Sequence, residues 1–309
     1  VSGALQATDV RVSFSRRGES VIAVNGVSLS VPESGAVGLV GESGCGKSTL
    51  ARVITGIQRP DAGEVRLDGE LLPARRTRSQ HREIQLIFQD PYSSLNPRRS
   101  IRSMLSELLR VHGLRTGAGV ESRCAELMEL VGLPRGALDR RPSAFSGGQR
   151  QRLAIARALA VEPKLIVADE PVSALDVSIQ ATILELFARL RTELGVSLLL
   201  ISHNLAVVRQ LCDQVAVMYM GEIVEFGERH QIFSAPEHEY TRTLLAAVPR
   251  LNAPIPSAAK SGGELPTAAE TGDGLRSSDT MGAPAPTAAT VDAPAVKTNP
   301  TDTDTEVQQ

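Results

Sequence analysis

Residues 41–49 read GESGCGKST, and Gly41, Gly46, Lys47 and Ser48 stand at the spacing G-x-x-x-x-G-K-[ST]. The run before them, VGLV at 37–40, is short and apolar, the mark of a buried strand. After them, Leu50, Val53, Ile54 and Ile57 recur at helical spacing. Strand, glycine loop and helix in that order form the context in which such a loop holds phosphate. Glycines let the backbone curl so that its N–H groups point inward at phosphate oxygens. Lys47 supplies a compact charge to the β- and γ-phosphates, and the Ser48 hydroxyl can ligate Mg2+. Gly41, Glu42, Ser43, Gly44, Cys45, Gly46, Lys47, Ser48 and Thr49 are therefore candidate nucleotide ligands. Cys45 reads as a small filler at a variable position, since the main chain does the work of such a loop.

Working outward, KLIVADEP at 164–171 is an apolar strand ending in two carboxylates. A parallel strand buried on both faces reads as a continuous apolar run. Its carboxyl end lies on the ligand-bearing edge of an open α/β sheet. Asp169 is placed there for a Mg2+ shell, and Glu170 to orient or deprotonate an attacking water. Alone, such an acidic pair is common at surfaces; beside a phosphate loop it gains weight. A third apolar run, VSLLLIS at 196–202, ends in His203. A histidine there can donate a hydrogen bond that strengthens as charge develops on a γ-phosphate. FSGGQRQR at 145–152 has the grammar of an anion site: Ser146 as cap, then bare backbone N–H groups at the positive end of a helix. Taken alone it is an ordinary helix N-cap. Read as an anion site, it is a second one in a chain that already holds a phosphate loop.

The chain has 309 residues, a net charge of −2 and an apolar fraction of 42%. That suits a soluble globular protein with one large domain or a domain plus satellites. Aromatics make up only 3% and tryptophan is absent, so the core must be built from Leu, Val, Ile and Ala. No apolar run approaches the ~20 residues of a membrane helix, and the N-terminus lacks a secretory pattern. Cys45, Cys124 and Cys212 are scattered, which argues against a disulfide framework or a zinc site and suits a reducing cytoplasm. Near-neutral charge gives no support to nucleic-acid binding. Composition changes near residue 251. From Asn252 to Gln309 there are seven prolines, eight acidic and three basic residues and no aromatics. Such a segment cannot bury enough apolar surface to offset its ordering entropy, and is expected to be a disordered acidic tail. What remains is mildly basic, which permits a weak attraction to an anionic membrane surface.

With GESGCGKST, Gln89 in IFQDP, FSGGQRQR, LIVADEP, SALD at 173–176 and His203 in ISHN in that order, the sequence resembles the ATPase subunit of an ABC transporter over roughly residues 5–250. The resemblance implies ATP and Mg2+ as ligands and accounts for the second anion site. In such ATPases two subunits close head to tail, and each ATP lies between the cradle of one and the SGGQ helix of the other. Ser146, Gly147, Gly148 and Gln149 would then contact the partner's nucleotide. A nucleotide saturated by one cradle has no use for a second anion site in the same subunit. A site that assembles only when ATP bridges two chains does have one. The resemblance also implies Lys47, Glu170, His203 and Gln89 as catalytic residues. Ser48, Gln89 and Asp169 would hold Mg2+, and Asp176 would link the two sites across the dimer contact. Phe14, in VRVSFSRRG, fits the aromatic that stacks on adenine; on pattern alone it reads equally well as a buried strand residue.

The segments FQDPYSSLNPRRSI at 88–101 and SAPEHEYTRTLLAAVP at 234–249 resemble subunits of oligopeptide and dipeptide importers. Importers of nickel chelates, glutathione or other small solutes are the alternative, and a soluble non-transport ABC ATPase is a more remote one. The turn-rich 88–101 segment would meet a membrane subunit through Tyr92, Leu95, Arg98 and Arg99. The partners implied are two membrane-spanning permease subunits, a second ABC ATPase subunit (a paralogue, or an identical chain) and, indirectly, an extracytoplasmic solute-binding protein. The expected location is the cytoplasmic face of the cell membrane, peripherally. Many relatives carry cysteines after the AVP segment; this chain has none there, which puts a metal-cluster role in doubt.

The expected fold class is α/β: a P-loop NTPase, RecA-like, with a parallel sheet core. Residues 5–251 would form the ABC ATPase domain. Within it, 5–35 would be an antiparallel β subdomain, 36–90 and 156–235 the nucleotide-binding core, 91–155 a helical subdomain and 236–251 a C-terminal helix, with 252–309 the tail. SIRSMLSELLRVHG and VESRCAELMELVG supply the amphipathic helices of the insert, the second stopping near Gly132 with Pro134 beyond.

Overall fold

The computed structural model describes residues 4–16, 19–90 and 94–247. Contacts divide the chain into two units, Val1–Ala253 and Pro254–Gln309. The second, like the whole expected tail, lies outside the described residues.

Strands β1 (Leu5–Arg16) and β2 (Glu19–Val31) pair antiparallel, from Leu5 opposite Val31 to Arg16 opposite Glu19. The sequence places antiparallel structure in 5–35 only. The sheet also takes β4 (Ala62–Leu67) and β5 (Glu70–Leu72), in the order β2-β1-β4-β5, so 62–72 leave the stretch assigned to the nucleotide-binding core. The cause is local. Asp68 and Gly69 both have positive φ, 50° and 82°, and Asp-Gly is a strong two-residue hairpin signal. Val65 and Leu67 then face the core.

The second sheet has the order β10-β9-β3-β8-β7-β6. Strands β3 (Ala36–Val40), β6 (Ile84–Ile87), β7 (Leu165–Asp169), β8 (Ser197–Ile201) and β9 (Gln214–Tyr219) run parallel. Only β10 (Glu222–Glu228) pairs antiparallel, at the edge. Side chains alternate between two hydrophobic clusters, as the period of two requires. From β7 and β8, Leu165, Val167, Leu199 and Ile201 join the antiparallel sheet and helix α1 (Lys47–Ile54) in one cluster. Ile166, Ala168, Leu198 and Leu200 join the helices on the other face. Burial on both sides is why these strands read as unbroken apolar runs.

Helices α2 (Arg78–Glu83), α3 (Ile101–Val111), α4 (Ala118–Leu130), α5 (Gly147–Leu159), α6 (Val177–Leu194) and α7 (Leu205–Leu211) follow in chain order. The insert helices α3 and α4 fall within two residues of the boundaries expected at 100–113 and 120–132. The Ser103 amide donates to the Ser100 side chain, which caps α3. Leu95 is 4% exposed and belongs to the same core cluster as α3 and α4, so it is not available as a surface contact. Two short helices, α8 (Arg229–Ser234) and α9 (Glu239–Ala246), end the described chain. Among the described residues no helix is long and apolar enough to cross a membrane.

Because β3, β6, β7 and β8 are parallel, their carboxyl ends share one edge. That edge receives the 41–49 loop, Gln89, the 169–170 acidic pair and His203. Gly38, in the middle of β3, sits against α7: a Cβ there would lie 2.4 Å from Val208 Cγ1 and 3.1 Å from Cys212 Sγ. Gly38→Ala should therefore destabilise the fold by about 1–3 kcal/mol through overpacking, read as a lowered urea midpoint. An unchanged midpoint would show that α7 shifts freely on the sheet.

Candidate functional site

The 41–49 loop is shaped by close approach of other backbone. Gly41 has φ 151° and Gly46, the N-cap of α1, has φ 110° and gives that helix no side-chain cap. A Cβ at Gly41 would stand 2.1 Å from the Met218 carbonyl oxygen, and one at Gly46 2.1 Å from that of Ala23. The Gly221 amide donates to the Cys45 carbonyl at 3.0 Å, and the Glu42 amide to the Tyr240 hydroxyl at 3.0 Å. Lys47 is 6% exposed, and its ammonium donates to the carbonyls of Gly41 at 2.8 Å and Glu42 at 2.6 Å. Uncapped amides at a helix start and a buried ammonium make the loop an anion receptor. The loop opens onto a cavity of about 490 Å3 that Gln89, Glu170 and His203 also line.

The acidic pair divides its duties. Asp169 is half-buried, and burial pushes its carboxyl above the ordinary value. A hydrogen bond from Ser48 opposes this, the Glu170 charge adds to it, and Arg52 and Lys47 pull against it. Glu170 has φ 48°, a conformation uncommon for a residue with a side chain, and its amide donates to the Ile201 carbonyl at 2.9 Å. Its Oε2 accepts from Gln89 Nε2 at 3.0 Å, and its Oε1 lies 2.9 Å from His203 Nδ1. Gln89 also reaches Ser173 Oγ at 3.4 Å, while Ser173 donates to the Glu170 carbonyl at 3.1 Å. The carboxylate is thus held from both sides at the cavity wall.

This architecture has counterparts. The family model described as ABC transporter matches residues 24–173, and the one described as oligopeptide/dipeptide transporter, C-terminal region, matches residues 224–276. The oligopeptide transport ATP-binding protein OppF of Lactococcus lactis subsp. lactis (strain IL1403) is 46% identical over 242 residues, 77% of this chain and 76% of its own. The oligopeptide transport ATP-binding protein AppF of Bacillus subtilis (strain 168) is 44% identical over 240 residues, 76% of this chain and 73% of its own. The chain belongs to the ABC transporter ATP-binding family. Among solved structures, a dimeric post-hydrolysis state of the ATP-binding cassette MJ0796 bound to ADP and Pi superimposes with a TM-score of 0.66 at 28% identity. It covers 73% of this chain and 98% of that one.

Other expected residues of this ABC ATPase lie apart from the cavity lining. Ser146 and Gln149 close a capping box on α5: the Gln149 amide donates to Ser146 Oγ at 3.4 Å, and the Ser146 amide to Gln149 Oε1 at 3.0 Å. A Cβ at Gly148 would stand 2.5 Å from Ile179 Cγ2, so that glycine packs α5 against α6, while Gly147 is open but for Leu175. None of these four residues lines the chain's own cavity. Phe14 is 43% exposed on β1, so the buried-strand alternative fails, yet it is not in the cavity lining. Asp176 is exposed at the start of α6 and makes no side-chain cap bond. Tyr92 lies outside the described residues. Arg98 is exposed, whereas Arg99 is tied to Ser103 and Glu107 within the helical insert. Ser173 and Tyr240 went unnoticed in the sequence. Ser173 stands inside SALD at 173–176, so the motif itself carries the signal; Tyr240 reaches the loop from 198 residues away.

The raised carboxyl of Asp169 has a consequence for stability. The native state holds that proton more tightly than the unfolded chain, whose value is near 3.8. The contribution is whole below that value and is lost as pH rises through the folded one. Asp169→Asn keeps an acceptor for Ser48 and cannot ionise. In magnesium-free buffer it should have a higher urea midpoint than wild type at pH 7, the gap closing as pH falls toward about 4. A gap independent of pH would contradict this.

Proposed function

We infer that the chain is the ATP-hydrolysing subunit of an importer for oligopeptides or dipeptides. The observation that carries the hydrolytic reading is the Glu170 carboxylate, held between Gln89 and His203 at the wall of a glycine-loop cavity. The match of 224–276 to a peptide-transporter C-terminal region, and the peptide-transport relatives, support the cargo class.

In this reading Gly41, Glu42, Ser43, Gly44, Cys45, Gly46, Lys47, Ser48 and Thr49 cradle the phosphates, and Phe14 stacks on adenine. Glu170 aligns and deprotonates water, Gln89 orients the carboxylate, and His203 donates to the γ-phosphate. The donor set suits Mg2+: Ser48 already bonds Asp169, Gln89 lies near, and all three offer hard oxygens. Mg2+ dehydrates reluctantly and is held largely by substrate phosphates and water, so a few oxygen ligands from the protein suffice. When bound, the ion would neutralise charge on the β- and γ-phosphate oxygens.

Ser146, Gly147, Gly148 and Gln149 serve the nucleotide of a second ABC ATPase subunit, a paralogue or a second copy, with Asp176 at the contact between them. Their separation from the chain's own cavity lining supports this arrangement. ATP closes the pair and hydrolysis reopens it, moving two membrane-spanning permease subunits fed by an extracytoplasmic solute-binding protein. The subunit works at the cytoplasmic face of the membrane. Residues 5–251 are the proposed ATPase domain; 248–251 and the expected tail, 252–309, lie outside the described residues.

Glu170→Gln should keep ATP binding and lower turnover by at least about 100-fold. Phosphate release under saturating ATP measures this, and near-wild-type hydrolysis would remove Glu170 from the role of base.

A further inference from the structure

The peptide unit joining Gly41 to Glu42 is gripped at both ends. Its carbonyl, on Gly41, accepts from Lys47 Nζ at 2.8 Å; its N–H, on Glu42, donates to the Tyr240 hydroxyl at 3.0 Å. Tyr240 is thus the outer partner of the same planar group that anchors the buried lysine. A planar amide cannot turn one end without the other, and donation through its N–H polarises its carbonyl toward the lysine.

Tyr240 is itself held in place. It packs on Tyr219 of β9, with ring centroids 4.2 Å apart and planes at 33°. The residue before Tyr219, Met218, presents the carbonyl that crowds Gly41. The start of α9 is fastened to β10, where the Glu225 carboxylate accepts the amides of Glu237 at 2.9 Å and His238 at 3.1 Å. The Tyr240 amide donates to His238 Nδ1 at 3.1 Å. Burial raises the phenol above its ordinary value against the opposing pull of the Glu42 amide, so the hydroxyl is neutral at physiological pH. Residues 225–240 fall in the segment matched to the peptide-transporter C-terminal region, outside the 24–173 match to the ABC transporter model.

We propose that Tyr240 is a positioning residue for ATP binding, its hydroxyl setting the Gly41–Glu42 peptide plane from which Lys47 is aimed. A residue of the segment matched to the peptide-transporter C-terminal region thereby supports the phosphate loop. This rests on the reading of Lys47 as the phosphate lysine, and the test separates the two.

The probe is fluorescent trinitrophenyl-ATP, titrated with Mg2+ into the full chain, with phosphate release at saturating ATP measured in parallel. Tyr240→Phe keeps the ring on Tyr219 and removes only the hydroxyl. It should raise the dissociation constant about three- to tenfold, the worth of one hydrogen bond, with saturated turnover within about twofold of wild type. Tyr240→Leu should weaken binding at least as much and also lower the unfolding midpoint. Lys47→Ala should weaken binding further, and adding Tyr240→Phe to it should change nothing more. Wild-type affinity in Tyr240→Phe, with Lys47→Ala impaired, overturns the role of Tyr240 alone. So does full additivity of the two. Wild-type affinity in Lys47→Ala overturns the site reading and this proposal with it.

Discussion

Two backbone carbonyls, of Met218 and Ala23, press on Gly41 and Gly46 so closely that no side chain fits at either glycine. That constraint comes from both sheets at once, since Met218 lies on β9 and Ala23 on β2. It holds the loop curled, forces α1 to start without a side-chain cap, and buries Lys47 under the loop's carbonyls. The antiparallel sheet is therefore more than an appendage to the parallel one. It walls the phosphate loop, and the hydrophobic cluster that it shares with α1, β3, β7 and β8 keeps that wall in register.

The chemistry is placed where the fold is least comfortable. Asp169 is a half-buried carboxyl whose charged form burial disfavours, and Glu170 bends through positive φ directly after it. Both lie at the end of β7, which is buried through Ala168 and becomes half-buried at Asp169. Strain and desolvation at such a site lower stability in exchange for preorganised charge. The compensation lies in the neighbouring strands, where β3 and β8 are buried at every position.

Much of this was legible in the sequence. The strands of the parallel sheet announce themselves because burial on both faces leaves no polar alternation, and the candidate site residues follow directly at their ends. What escaped notice depended on contacts between distant segments. The Asp68-Gly69 hairpin has a clear local signal, but its partner β1 lies some fifty residues back, and no local pattern names the partner. Leu95 sits among turn-forming residues and reads as surface; the helical insert folds over it. Phe14 fits two readings by sequence pattern; its exposure removes the buried-strand one, and it lies outside the cavity lining. Tyr240 looks like a residue of a terminal helix until the Glu42 amide is found on its hydroxyl.

The account turns on an incomplete site: the residues of the SGGQ turn, which would cover a nucleotide, take no part in lining the chain's own cavity. The most direct test places a benzophenone photocrosslinker on Ser146→Cys in a Glu170→Gln background, mixed with the second ATPase subunit of the assembled transporter. With ATP and Mg2+, illumination should join residue 146 to the phosphate loop of the other subunit, and without ATP it should not. Saturated ATP binding with no such cross-link would contradict the claim that the nucleotide is shared between chains.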